Sequence, residues 1–259
     1  MATQVSTLLE EIGTDVGHFS LQIGPKFLEL FSGHLYKSPN KAFEELVSNA
    51  WDADASAVYL GIPDNVEDAD ATIWVLDDGL SMDLDGLKNL WNVAVSDKKN
   101  GRSPSGRNLI GKFGIGKLAT YLLANQITYL CKATDGLIRT VTVDYRVIDA
   151  AHGNLTAEPL DLVVRSLSDK ELRDLLTNIT GGQDIAKVID QGIPQPPVPQ
   201  YENEFGDELD IGKTPKGQGT WTLVILSDLK DAGHEIHSGR FRRMLRAALP
   251  LGSSMAMVL

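Results

Sequence analysis

Three residues with oxygen-bearing side chains repeat along one predicted helix. Glu45, Asn49 and Asp52 are spaced i, i+4 and i+7 in the sequence AFEELVSNAWDADA. A helix advances about 100° per residue, so these side chains fall within about 60° of one another. Such a face offers an amide oxygen to a magnesium ion and a carboxylate that can orient or deprotonate a water. A solvated helix face is the alternative interpretation.

A second candidate is the end of a short apolar strand. The sequence ATIWVLDDGLSMD passes from apolar residues into Asp77, Asp78 and Gly79. An aspartate at this position can accept a hydrogen bond from an exocyclic amine, and the glycine lets a flat ring approach the backbone. Asp-Gly is also a common turn sequence, so a plain turn between a strand and a helix is the alternative.

A glycine-rich segment from Gly111 to Lys117 precedes a predicted short helix. Its glycines allow successive N–H groups to line a concavity for phosphate, and the start of the helix adds positive potential. The window 98–117 contains no acid, although the formal charge of the chain is −11. It contains six cations, which are Lys98, Lys99, Arg102, Arg107, Lys112 and Lys117. This local reversal of charge is typical of a polyphosphate site, although a solvated loop can have the same composition.

Two better-known phosphate motifs fit this segment less well. The run from Gly106 to Lys112 matches a P-loop, but the next residue is Phe113, which lacks the hydroxyl that binds magnesium. The pattern Gly114-x-Gly116-x-x-Ala119 resembles a dinucleotide fingerprint. No strand precedes this pattern and no parallel βαβ unit follows it, so both interpretations are rejected.

The predicted elements around these candidates indicate an α+β fold. A hairpin turn is expected at Thr134-Asp135-Gly136, and Ser168 with Glu171 predicts a capping box at a helix start. Because helices stand mostly before and between strands joined by hairpins, we expect a two-layer sandwich. Its sheet would be mixed, mostly antiparallel, and covered by helices on one face. Helices are expected at 25–36, 39–55, 83–93 and 115–124, and strands at 58–62, 71–77, 126–133, 137–145 and 220–227.

Composition and charge exclude several classes of protein. The 259 residues include a single cysteine, Cys131, which excludes a disulfide framework and is typical of a reducing cytoplasm. No apolar run approaches the roughly 20 residues that span a bilayer, and the first residues lack a basic leader. The acidic balance argues against a general polyanion binder. We therefore expect a cytoplasmic protein that makes no membrane contact and meets nucleic acid only through a partner.

Together and in this order, the motifs resemble those of the GHKL, or Bergerat-fold, ATPases. This family includes the gyrase B subunit, MutL, histidine kinases, the ninety-kilodalton heat-shock chaperones and the Morc proteins, and the sequence is most similar to the last two. The similarity spans about residues 25–230. Its four matching elements are Glu45 with Asn49-Ala50-Trp51-Asp52-Ala53, Asp77 to Ser81 with serine at the second glycine, Ile110 to Gly116, and Gly219-Thr220 at the start of a late strand.

The resemblance implies a role for each matching residue, with ATP and Mg²⁺ as the cofactors. Glu45 would be the general base for water, Asn49 the magnesium ligand, and Asp77 the residue that binds the adenine amino group. Asp52 would support the nucleotide pocket, and Thr220 would reach Asp77 or a bridging water. The remaining site residues are Gly79 and Met82 at the base, and Gly111, Lys112, Gly114, Ile115, Gly116 and Lys117 at the phosphates.

The implied activity is Mg-dependent binding and hydrolysis of ATP, slow in the isolated chain, with lid closure that drives dimerisation or a partner domain. Two alternatives remain open: a nucleotide-sensing or clamp module with negligible turnover, and a histidine-kinase-like phosphotransferase. The family pattern implies an N-terminal arm over 1–24, the ATP-binding domain over 25–235, and a helix over 236–259 that leads toward a downstream transducer domain. Expected partners are ATP and either a second copy or that transducer domain.

Overall fold

The computed structural model describes residues 5–21, 40–91, 102–110, 116–150, 160–191, 219–236 and 255–258. The predicted helix at 25–36 and most of the segment 236–259 lie outside these residues. No helix in the described part is long and apolar enough to cross a bilayer. The helices are α1 (Val5–Glu11), α2 (Asn40–Asp52), α3 (Leu84–Leu90), a 3-10 helix (Gly116–Leu122), α4 (Tyr145–Ala150), α5 (Asp169–Thr177), α6 (Gly182–Gln191) and α7 (Asp231–His234).

One sheet contains all the strands of the described residues. The strands are β1 (Thr14–Leu21), β2 (Ala57–Gly61), β3 (Ile73–Asp77), β4 (Ala124–Lys132), β5 (Ile138–Asp144), β6 (Leu160–Leu167), β7 (Trp221–Leu229) and β8 (Ala256–Val258). Their order in the sheet is β1-β6-β5-β4-β7-β3-β2-β8. Neighbouring strands are antiparallel except for β2 and β8, which are parallel. The predicted α+β class and the mixed, mostly antiparallel sheet are therefore confirmed.

Helices bury two apolar clusters against the sheet. The larger cluster joins α2, α3, the 3-10 helix and α4 to the sheet face that carries Val58 and Val143. Alternate strand residues point to opposite faces, so Ala57 and Tyr59 belong to a second cluster. That cluster is closed by α1, α5 and α6. The expected helical layer is present on one face, and three further helices cover part of the other face.

Two edge strands were not indicated by the sequence. β1 pairs with β6 along its length, from Thr14 opposite Ser166 to Leu21 opposite Leu160. β8 is a three-residue strand that pairs with β2. Edge strands contribute mainly backbone hydrogen bonds and need no strong apolar alternation, so their local pattern is weak. The domain limits at 24/25 and 235/236 stay predictions.

Candidate functional site

Helix α2 separates its core side from the candidate face. The half-buried Glu45 and Asp52 and the exposed Asn49 lie beside the apolar stripe. Because burial of the stripe fixes the rotation of the helix about its axis, the three polar side chains stay at the border of the core. The predicted stripe is confirmed, since its four members are buried: Ala42, Leu46, Val47 and Ala50.

Asp77 is the last residue of β3, and only 7% of it is exposed. Its Oδ1 accepts a hydrogen bond from the N–H of Gly79 at 2.9 Å. Burial raises the pKa of this carboxyl to about 7, against the lowering effect of the Gly79 hydrogen bond, and the nearby charge of Asp78 adds to the rise. A strongly perturbed buried carboxyl at the end of a strand is characteristic of a functional site.

The turn after Asp77 is fastened to the end of α2. The N–H of Leu80 donates to the carbonyl oxygen of Ala53 at 2.7 Å. Gly79 lies so close that a Cβ there would stand 2.7 Å from the same oxygen, an approach that only glycine allows. The second predicted motif therefore lies against the first, one residue beyond Asp52.

The fourth predicted element reaches the same turn. Thr220 is buried and its hydroxyl donates to the carbonyl oxygen of Gly79 at 3.0 Å. This bond fixes the backbone of the turn two residues beyond Asp77. Contact of the same hydroxyl with Asp77 or with a bridging water stays a prediction.

Serine at position 81 is accommodated by a polar row across the sheet. Its hydroxyl lies 3.0 Å from Oγ1 of Thr222, which is paired with Asp77 between β3 and β7. Thr222 is paired in turn with Cys131 of β4. Hydrogen bonds from the Ser81 side chain and the Met82 backbone reach the Cys131 thiol, whose pKa burial raises to about 12. Cys131 is therefore a neutral core residue, and Met82 lies beside the Asp77 row.

The raised pKa of Asp77 predicts a pH-dependent stability. Its ordinary pKa of 3.8 applies to the unfolded chain, so between about pH 4 and 7 the folded chain binds more protons and folding loses stability as pH rises. The slope from this single group is at most about 1.4 kcal/mol per pH unit. Urea unfolding of the wild type and of Asp77→Asn from pH 4 to 8 measures the contribution of Asp77, because the contributions of the other acids cancel in the difference between the two free energies of unfolding. A difference that does not change with pH would contradict the assignment.

Residues 102–110, which belong to the basic window 98–117, form a loop that lies against the same end of α2. Oδ1 of Asp52 accepts the N–H of Ile110 at 2.8 Å, and the indole Nε1 of Trp51 donates to the carbonyl oxygen of Asn108 at 2.9 Å. Asp54 was not among the residues expected at the site, and its buried carboxylate also binds this loop. The available signal was a second aspartate in NAWDADA, together with two serines in GRSPSGR.

The glycine-rich segment is described only in part. Gly111, Lys112, Gly114 and Ile115 lie outside the described residues. Gly116 and Lys117 begin the 3-10 helix, which packs against α2. The described chain on both sides of the segment therefore lies against the helix that carries Glu45 and Asn49.

An α+β sandwich in which a strand that ends in a buried aspartate lies against the end of a helix bearing an acid and an amide is typical of GHKL ATP-binding domains. Comparison with protein-family models agrees with this class. The chain belongs to the family of histidine kinase-, DNA gyrase B- and HSP90-like ATPases, whose model matches residues 36–172, more than half of the chain. It therefore carries an ATP-binding module of the GHKL type.

Among curated proteins, the chain is similar to bacterial chaperones named HtpG. It is 29% identical over 127 residues to the protein of Halalkalibacterium halodurans, covering 42% of this chain and 20% of the chaperone. It is 27% identical over 174 residues to that of Magnetococcus marinus, covering 59% of this chain and 26% of the chaperone. The chain thus spans about a quarter or less of the length of these relatives. A Morc-like affinity stays a prediction.

Proposed function

We propose that this chain binds ATP with Mg²⁺ at the face of α2 and hydrolyses it. The observation that carries the proposal is the junction between β3 and α2. There the buried Asp77 carboxyl, held by the Gly79 N–H, is fastened through Leu80 and Ala53 to the helix that bears Glu45 and Asn49. One end of this junction suits a nucleobase and the other suits phosphates and water.

At the base end, Asp77 would accept a hydrogen bond from the exocyclic amine of adenine. The Gly79 N–H holds Oδ1, and the Thr220 hydroxyl fixes the Gly79 carbonyl, so the carboxyl is oriented before any ligand arrives. Preorganisation of this kind reduces the ordering cost of binding. Met82, half-buried against the larger core cluster, would line the base.

At the phosphate end, Asn49 would hold Mg²⁺, which would supply positive charge that offsets the charge of the phosphates. Glu45 would orient the attacking water and accept its proton. Asp52 already accepts the Ile110 N–H, so its part is to place the start of the glycine-rich segment rather than to bind metal. The N–H groups of that segment, together with Lys112 or Lys117, would receive the phosphates.

Coupling of the nucleotide to a larger assembly is proposed from the resemblance and from the similarity to chaperones. Lid closure over ATP would drive dimerisation or a partner domain. These steps belong to the whole protein, of whose HtpG relatives this chain spans only 20–26%. A cytoplasmic location is likewise proposed from the single cysteine.

Isothermal titration of the chain with ATP in the presence of Mg²⁺ tests the proposal. We expect saturable binding that weakens when the metal is chelated, and slow release of phosphate in a coupled assay. Binding without phosphate release would favour the clamp alternative. Transfer of phosphate to a histidine of the protein would favour the kinase alternative. Absence of heat with a chain shown to be folded by circular dichroism would refute the proposal.

A further inference from the structure

We infer that Asp54 is a positioning residue: its buried carboxylate docks residues 102–110 onto the end of α2 and thereby sets where the glycine-rich segment begins. The docking itself stands on contacts within the described residues. Its effect on ligand binding rests on the proposed function.

Asp54 occupies a position that is costly unless its partners are present. It is 5% exposed and adopts a φ of 60°, a left-handed conformation that a non-glycine residue seldom takes. A buried carboxylate must also be compensated by hydrogen bonds or opposite charge. Those partners come from the loop: the hydroxyls of Ser103 and Ser105, the N–H of Ser105 at 2.8 Å, and Nε of Arg107 at 4.0 Å.

The loop is shaped to present these groups together. The N–H of Ser103 donates to the carbonyl oxygen of Arg107 at 2.8 Å, and the N–H of Gly106 donates to that of Ser103 at 2.9 Å. Oγ of Ser103 also accepts the N–H of Arg107 at 3.0 Å. Gly106 has a φ of 91°, which glycine adopts without strain. These bonds form a compact turn that presents Ser103 and Ser105 to Asp54 together.

A second set of contacts holds the other side of the same loop. Nη1 of Arg107 donates to the carbonyl oxygen of Ala55 at 2.6 Å, and its guanidinium lies 4.9 Å from the centre of the Trp51 ring. Trp51 in turn donates to the Asn108 carbonyl, and Asp52 accepts the Ile110 N–H. The stretch 51–55 therefore engages the loop through side chains and backbone alike, and the loop ends one residue before Gly111.

The docking of residues 102–110 matters because α2 also carries Asn49, the proposed metal ligand. Asn49 and Asp52 are three residues apart on α2, which places them on one face about 4.5 Å apart along the axis. The Ile110 N–H bound to Asp52 therefore enters the site next to the proposed metal ligand. If Asp54 is lost, the chain leading into the glycine-rich segment loses one of its anchors, whereas Asp77 keeps its hydrogen bond with Gly79. We therefore expect binding of the phosphates to weaken and binding of the base to stay nearly unchanged.

Docking can be measured without any nucleotide. Asp54→Asn and Ser105→Ala each remove contacts between the loop and α2, and Asp190→Asn is the control, since its carboxylate pairs with Arg173 between α5 and α6. Amide exchange at Ser105 and Ile110 should accelerate by about tenfold or more in the two loop variants and stay unchanged in the control. Unchanged protection in both loop variants would overturn the docking.

Tryptophan emission gives a second measure. The half-buried Trp51 contacts the loop, while the other tryptophans, Trp74, Trp91 and Trp221, are buried. The Trp51 contribution, obtained by subtracting the spectrum of Trp51→Phe, should shift to the red in Asp54→Asn. Should that variant fold poorly, Ser105→Ala keeps the carboxylate and tests the same docking from the loop side.

The positioning role is tested by comparing two ligands. Asp54→Asn should weaken ATP binding by about tenfold or more, the cost of a lost charge-assisted contact, and change adenosine binding by less than about twofold. An equal loss for both ligands would indicate general destabilisation and overturn the role, as would unchanged ATP affinity. If the wild type bound neither ligand, the proposed function would fail while the exchange result still decided the docking.

Discussion

Replacing Glu45 by alanine should reduce ATP hydrolysis by about 10²–10⁴-fold and leave ATP affinity within about twofold. The reason is that the proposed role of this carboxylate is to orient and deprotonate water in the transition state, which adds nothing to ground-state binding. Phosphate release under saturating ATP measures the first quantity, and calorimetry measures the second. A matching loss in both would indicate a binding role instead.

Helix α2 supplies a matched control for this experiment. Glu44 is the adjacent acid, also half-buried, and its side chain pairs with Lys41. One residue along a helix turns the side chain by about 100°, so Glu44→Ala removes the same charge from a different face. We expect near-normal hydrolysis from it. Comparable losses in the two variants would show that helix stability, not a base at position 45, is responsible. Glu45→Gln should behave like Glu45→Ala because it keeps the shape and lacks the base.

Asp77→Asn should weaken ATP binding by about 10²-fold or more. A site built to accept a hydrogen bond from an amine is left with an unpaired donor when the carboxylate becomes an amide. The substitution keeps an oxygen for the Gly79 N–H, so the turn that Thr220 and Ala53 hold should survive. Titration calorimetry measures the loss, and circular dichroism verifies the fold. Normal nucleotide affinity in this variant would refute the base assignment.

Altered bases make the Asp77 prediction sharper. A purine nucleotide without the exocyclic amine should bind the wild type more weakly than ATP, yet Asp77→Asn should no longer distinguish the two. A 6-oxopurine triphosphate offers an acceptor where ATP offers a donor. Of the three nucleotides, it should therefore show the smallest loss of affinity, or a gain, when Asp77→Asn is compared with the wild type. The change at residue 77 and the change of base form a thermodynamic cycle, and a binding free energy that is not the sum of the two separate effects indicates a direct contact between residue and base. Additive effects would mean that Asp77 acts elsewhere.

Much of the fold could be predicted because the relevant signals are local. The α2 stripe at helical spacing, the hairpin turn before β5 and the capping box between Ser168 and Glu171 all appear as expected. Each depends on residues within one or two turns of chain. The strands β1 and β8 could not be predicted in this way, because their partners are distant in sequence. The strand β6 and the helix α6 were also not predicted.

The candidate site likewise has one part that the sequence indicates and another part that depends on contacts between distant segments. The residue types at Glu45, Asn49 and Asp77 indicate chemistry once the motifs are taken together and in order. The part played by Asp54 depends on Ser103 and Ser105, about 50 positions away. Thr220 illustrates the same limit, since its hydroxyl binds the carbonyl oxygen of Gly79, a residue 141 positions away in the sequence.

From the sequence alone came the inventory of reactive groups, their order along the chain and the helical spacing that aligns an acid and an amide, since these follow from covalent geometry and side-chain chemistry. Only the tertiary structure decided that β3 ends against α2, that residues 102–110 lie against Asp54, and that burial raises the pKa of the Asp77 carboxyl. The physical reason is that burial and close approach arise from packing between segments far apart in the chain. Exclusion of water by that packing determines the free energy of each buried charge and hence the pKa of the group that carries it.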